Sequence, residues 1–564
     1  MIKSCQYCSL QFTITQDDQS FYKRFDVPTP TLCPDCREQR RLSYRNERSF
    51  YNRKCDATGK DVISIYPQDF PGKVYSYDFW WSDSYDPLTI KDLPDFDFTK
   101  PFFPQYLELA TATPRPCIVN MNSENSLYTN HSAYNKNCYM CMNTGYCEDL
   151  LYCSNYCLYS KDCADCLAIK KCERCYFCTN TENSQFCSYL YQCGGMIDSH
   201  FCYDCQGCQS CVNCYNLRHK KFCIFNKQFS KDEYQKKLKE LTPTDWNASM
   251  EAFSNWKNLI FEKAFHKDLF IEKCQNCTGD HVANSKNTRD SFYVFDMQDC
   301  AYCYDAGEMK DCYDVVEPFK GELEYETHAC NINYRILFCS KCYENNNMTY
   351  CQYCWHCSNC FGCFGLRDKK YCVFNKQYSK EEYEKLVPKF IVHMKETKEW
   401  GEFFPMEHSP FKYEETAAND YYPRQPRHQP ITQKHGGTSS SQAASGHDSV
   451  PLTSGHRPPL TNVRTLSGHA TSSPGAQTPD QILTCPLSAR KFKIIDTELA
   501  FYKAMNLPVP SIHPDERHRL RMNLRDPRRM RESTCVKCKS PIKTAAHPSF
   551  QNILCRKCYL EEVY

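Results

Sequence analysis

The chain has 564 residues, 69 Lys and Arg against 67 Asp and Glu, and a formal net charge of +2, so bulk charge names no partner and the length suggests several domains. Its 43 Cys and 40 Tyr inflate the hydrophobic fraction, while a mean hydropathy of −0.67 argues against large cores of Leu, Ile and Val. No apolar run approaches the ~18 residues of a membrane span, and "MIKSCQYCSLQF" passes straight into a C-x-x-C without a signal-peptide core, so the chain is expected to be soluble and cytoplasmic, its thiols reduced or metal-bound.

Residues 1–90 read as a zinc-ribbon module. Tetrahedral Zn2+ takes four thiolates from two separated C-x-x-C turns, and Cys5, Cys8, Cys33 and Cys36 supply such a set with no open position for substrate, which implies a structural ion. "REQRRLSYRNERSFYNRK" follows directly. Its Arg37, Arg40, Arg41, Arg45 and Arg48, interleaved with Tyr44, Phe50 and Tyr51, suit phosphates and unstacked bases, the alternative being a solvated helix face balanced by nearby acids.

After a connector over 91–116, residues 117–229 carry cysteine at multiples of three: Cys163, Cys166, Cys172, Cys175 and Cys178, then Cys202, Cys205, Cys208, Cys211 and Cys214, with Cys138, Cys141, Cys147 and Cys153 one position out of phase. A helix would spiral such residues around its cylinder, and a strand would alternate their faces. A narrow β-solenoid-like coil, each short side turning one residue inward, places them all on one side. The skipped positions agree, being small or apolar (Ser160, Ile169, Thr181, Ser184, Leu190). Most thiols are then small packing groups; a thiolate array storing Zn2+ or Cu(I) and a disulfide ladder are the competing readings.

Residues 230–290 read as a helical insert, with Trp246, Phe253, Trp256, Phe261 and Phe265 near helical spacing as core. Cys274 and Cys277, out of phase with the coil, form a candidate zinc set with Cys300 and Cys303. A second coil over 291–378 repeats the first at an offset of 149: "CVNCYNLRHKKFCIFNKQFSKDEYQKKL" from Cys211 returns as "CFGCFGLRDKKYCVFNKQYSKEEYEKLV" from Cys360. Both copies end in a capping-box pair, Ser230/Glu233 and Ser379/Glu382, opening helices that cap the coils, the second within a cap and tail over 379–422. Residues 423–481 have the Ser, Thr, Pro, Gly and His composition of a disordered linker.

Residues 482–564 repeat the N-terminal module at an offset of 480, pairing Phe21 with Phe501, Asp35 with Asp515 and Arg45 with Arg525. At the first metal set this copy has Cys485, Ser488, His513 and Glu516. At a second it has Cys535, Cys538, Cys555 and Cys558, where the N-terminal copy has Cys55, Thr58, Tyr75 and Asp78. The losses are complementary and leave one complete set in each module.

"CPDCREQRRLSYRNERSFYNRKCDATGKDVISIYP", "WWSDSYDP", "PRPCIVNMNSENSLYTN" and the two "LR.KK.C.FNKQ" ends, together covering roughly 1–395, resemble a set of uncharacterised zinc-ribbon and Cys-repeat proteins of small-genome candidate-phylum bacteria. The resemblance implies no established activity. No nucleophile with its base, phosphate loop or carboxylate pair emerges, so no enzyme is expected. The reading is a zinc-binding, non-catalytic scaffold engaging RNA, a ribonucleoprotein or another protein through its ribbons, with thiolate-rich metal handling as the alternative.

Overall fold

The computed structural model describes residues 1–91, 93–315, 322–328, 334–424 and 481–564. The stretch expected to be a linker falls outside the described residues from 425 to 480, as does Cys330 of the second Cys series.

The two end modules share one element order. In the first, the hairpin Ile2–Ser4/Gln11–Thr13 is followed by helices Gln16–Arg24 and Pro34–Leu42 and by the hairpin Tyr51–Lys54/Asp61–Ser64. In the second, Gln481–Thr484/Lys491–Ile494 precedes helices Asp496–Ala504 and Pro514–Met522 and the hairpin Arg531–Thr534/Pro541–Thr544. Pro34 and Pro514 stand at the first helical position, where a missing N–H is not needed.

Between them lie two sheets dominated by parallel pairing, of fourteen and ten strands among the described residues. Their register answers what period three requires. Cys163 pairs with Cys175, Cys175 with Cys187, Cys211 with Cys223, and in the second sheet Cys360 with Cys372, a prevailing step of twelve residues that lengthens to thirteen where Leu150 pairs with Cys163. Every third residue is left-handed: Asp162, Asp165, Ala168, Lys171, Arg174 and Phe177 have φ between 50° and 54°, and each immediately precedes a position of the Cys phase. A left-handed L-residue costs roughly 1–2 kcal/mol. The corners recover this through hydrogen bonds, for the N–H of the left-handed residue donates thirteen residues back, as from Asp198 to Gln185 O and from Asn216 to Tyr203 O. Asn and Asp, which tolerate this conformation best, also form side-chain ladders along the corners: Asn125 to Asn137 and Asn137 to Asp149.

The Cys phase is buried. Apolar clusters composed of that phase fill the first sheet (Cys138 to Cys223) and the second (Val282 to Val315, then Ile336 to Cys372). The expected start of the second Cys series, 291, lies inside this pairing, which already begins at Ile271–Glu272 against Val282–Ala283; one step of eleven, Gln275 to Lys286, is why Cys274 and Cys277 read as out of phase. Each sheet ends in a reversed strand, Lys227–Gln228 or Lys376–Gln377, and a helix with a complete capping box, Lys231–Leu241 or Lys380–Glu396. Tyr234 closes the first end against Val212 and Ile224, covering apolar surface and the last strand.

Candidate metal centres

Four hairpin turns have one backbone design. In each, the N–H five residues before the close donates across the turn and a left-handed residue follows the fourth position: Cys5 with Ser9 (φ 63°), Cys55 with Gly59 (70°), Cys485 with Ala489 (53°), Cys535 with Lys539 (61°). Only two turns keep both thiols. These are completed by a second pair at a helix start, Cys33 and Cys36 or Cys555 and Cys558.

In both sets the four Sγ atoms lie within 4.8 Å of one another, and each set could hold a metal ion. Cys8 Sγ is 3.7 Å from Cys33 Sγ, and Cys538 Sγ is 3.7 Å from Cys555 Sγ. A tetrahedron with metal–sulfur bonds of about 2.3 Å has edges of about 3.8 Å, so the donor set fits zinc in size as well as in softness. The N–H of Cys33 donates to Cys5 Sγ at 3.3 Å. Hydrogen bonds from Cys36 hold the Cys33 thiol down to about 5, and those from Ser540 hold Cys538 down to about 6, while the contact with Cys33 pushes Cys36 up and burial pushes Cys558 up, so one thiolate in each set is favoured before a metal binds. At the reduced sites the turn persists without the ligand set: Ser76 N donates to Cys55 Sγ at 3.1 Å, and His513 occupies the place equivalent to Cys33.

Cys274, Cys277, Cys300 and Cys303 are not brought together. The register places Thr288 between Cys277 and Cys300, so these thiols sit two strand spacings, about 9.5 Å, apart. Cys274 donates instead to the carbonyls of Glu272 and Val282.

The arginines expected to face nucleic acid are turned inward. Arg37, Arg40, Arg41 and Arg45 are at most 7% exposed. Arg37 forms a two-pronged pair with Asp314 (2.9 and 3.0 Å), Arg41 lies 3.7 Å from the same carboxylate, and Arg40 bridges Glu326 and Glu402 at 2.8 and 2.9 Å. Arg45 pairs with Glu47, and Arg48 with Asp515 of the other module at 2.8 Å. The C-terminal module does the same to the first sheet: Arg517 and Arg521 both reach Asp165, at 2.9 and 2.8 Å. Asp165 and Asp314 are 149 residues apart, and Arg517 and Arg521 are 480 beyond Arg37 and Arg41, so both repeats contribute to one duplicated contact. Its surroundings match as well. Tyr302 donates to Asp18 and lies under Arg37, while Tyr152 donates to Glu498 and lies under Arg517. Tyr22 meets Tyr325 as Tyr502 meets Tyr176. Where one copy pairs Arg40 with Glu326, the equivalent positions are Leu520 and Phe177, which share one apolar cluster. The sequence signal was present in the matched offsets, but the partners lie 277 residues or more away and only packing joins them.

The Cys phase acts chemically as donor and acceptor. Cys208 Sγ donates to Gln206 O and accepts the N–H of Lys220, one twelve-residue step on; Cys193 accepts from Cys205 N and Cys339 from Cys351 N. Ser184, Ser199 and Asn135 do the same for Met196, Cys211 and Cys147. Burial raises the Cys163, Cys166 and Cys303 thiols, whereas Cys214, hydrogen-bonded by Cys202 and Cys211, is held down to about 4. No described helix is long and apolar enough to cross a membrane. No family model, curated protein or solved structure matches the chain.

Proposed function

We propose that the protein is a zinc-clasped, non-catalytic scaffold, in which two narrow four-sided solenoids are held together by two ribbons docked across them. Pairing at a step of twelve with a left-handed corner every third residue supports the solenoid reading, four corners making one turn. The observation that carries the scaffold reading is the duplicated anchor, two arginines of each ribbon on one buried carboxylate of a sheet, Asp314 or Asp165. Arginines spent in this way offer no phosphate contacts, so the ribbons serve as internal clasps. The surface left to a partner is the outer rows of the solenoids, among them the exposed Tyr134, Tyr146 and Tyr159, stacked at 4.8 and 5.1 Å.

Against metal storage stands the accounting of the inward sulfurs, which are buried and hydrogen-bonded to backbone carbonyls and N–H groups. Replacement of bound metal by Co2+ in the full chain tests the reading. Sulfur-to-cobalt charge-transfer intensity for about two tetrathiolate ions per chain is expected; intensity for many more would establish the thiolate store in its place.

A further inference from the structure

A second kind of metal site lies at a junction of three chain segments. Asp280 and His281 belong to the first turns of the second sheet, Asp526 follows the last helix of the C-terminal module's arginine run, and Gln192 comes from the first sheet. One donor atom from each of Asp280, His281 and Asp526 lies within 4.8 Å of the others. His281 Nε2 is 3.7 Å from Asp526 Oδ2 and 4.0 Å from Asp280 Oδ2, too far for hydrogen bonds. A tetrahedral shell with bonds of about 2.1 Å has edges of about 3.4 Å, so a movement of only a few tenths of an ångström would close these atoms onto an ion.

The other carboxylate oxygens are already engaged, which fixes the inward ones. Asp280 Oδ1 accepts from Phe270 N and His281 N, and Asp526 Oδ1 accepts from His547 N. The His281 ring is held between Phe270 and Tyr293, stacked at 4.8 and 4.4 Å. Asp280 and Asp526 are 2% and 6% exposed, and the adjacent Arg525 is directed away, to Asp305. Two buried carboxylates so placed are costly without a cation.

Gln192 points independently to a ligand. It is 7% exposed, and its amide faces the cluster, with Nε2 3.3 Å from His281 Nε2 and 3.2 Å from Asp526 Oδ2, while Oε1 is buried without a hydrogen-bond partner. Half a turn of the amide carries that stranded oxygen to the cluster, where it becomes a fourth donor.

We propose that Asp280, His281, Asp526 and Gln192 bind one divalent cation, a structural ion that fastens the C-terminal ribbon to the junction of the two sheets. Three oxygens and one imidazole nitrogen suit Zn2+, Mn2+ or Fe2+ rather than soft ions. The test uses the full chain carrying two equivalents of Zn2+, titrated with Mn2+ and followed by electron paramagnetic resonance. One Mn2+ per chain is expected, with affinity at least tenfold weaker in Asp526→Asn and in His281→Phe. His281→Phe keeps the ring stack and so decides the matter if Asp526→Asn fails to fold. Absence of Mn2+ binding, or binding undiminished in His281→Phe, overturns the site.

Discussion

Cys208 shows what an inward thiol is for. It is buried among the other cysteines of its phase, and it accepts an N–H that the sheet leaves without a backbone partner. Cys208→Ser is therefore expected to be close to neutral, since Ser184 and Ser199 already do this work elsewhere. Cys208→Ala strands the Lys220 N–H and should cost about 1–3 kcal/mol. Cys208→Arg or Cys208→Trp overpacks this buried cluster and should prevent folding. Urea melts of the four variants check the order, and equal tolerance would place this phase outside the core. A second residue-scale prediction concerns Asp314. Asp314→Asn removes the charge that Arg37 and Arg41 share in a fully buried setting and should cost about 3–5 kcal/mol, read from the same melts. Asp165→Asn should match it, because Arg517 and Arg521 meet there in the same way.

Among the elements, the two end modules carry the complete thiol sets, and the proposed ions would bear on their folding most directly. Cys33→Ser leaves three thiols, and binding energy that is also folding energy is lost. The variant is expected to hold one thiolate-bound zinc fewer per chain and to melt at a lower temperature, checked by metal analysis and calorimetry. The complete thiol sets were legible because their spacing is short-range. So was the inward period of three, but the step of twelve was not: an inward residue every third position is compatible with any pairing step that is a multiple of three, and only strand register chooses among them. The left-handed corners had a faint sequence trace in the Asn and Asp that often precede a cysteine. The arginines misled for a physical reason. A run such as Arg37 to Arg48 reports charge and says nothing of the carboxylate it will meet, and Asp314, alone at a corner in a distant repeat, gave no local sign of being that partner. The capping boxes, by contrast, involve residues three apart, and both formed as expected.

At the scale of the whole molecule, the two halves are alike in plan, and both bury histidines: His131 and His328, which face Arg45 of the first module, are held well below the ordinary range by burial. His513 and His518 of the C-terminal module stand where the N-terminal one has Cys33 and Glu38, and burial holds both rings down to about 4. His266, stacked on Phe550 at 3.6 Å where that module meets the first sheet, is likewise held at about 4 by burial. Between the ordinary value of 6.5 and 4, the unfolded chain takes up protons that these folded rings refuse, so stability is lost as the pH falls through that window. The C-terminal module should loosen over that window, and hydrogen exchange at pH 7 and pH 5 should show protection falling there, with a parallel loss around His131 and His328. A His518 ring titrating near 6 by NMR would contradict it.

The pairs between modules run in both directions: Arg48 of the first reaches Asp515 of the second at 2.8 Å, and Arg528 of the second reaches Glu38 of the first at 2.6 Å. The exchange is approximate, since Arg528, the counterpart of Arg48, meets Glu38 rather than Asp35, the counterpart of Asp515, but it resembles a two-fold dimer closed within one chain. A dimer of separate subunits obeys mass action and comes apart when diluted, whereas tethered halves meet at an effective concentration fixed by the connecting chain. The assembled form therefore persists at any copy number, down to a single molecule.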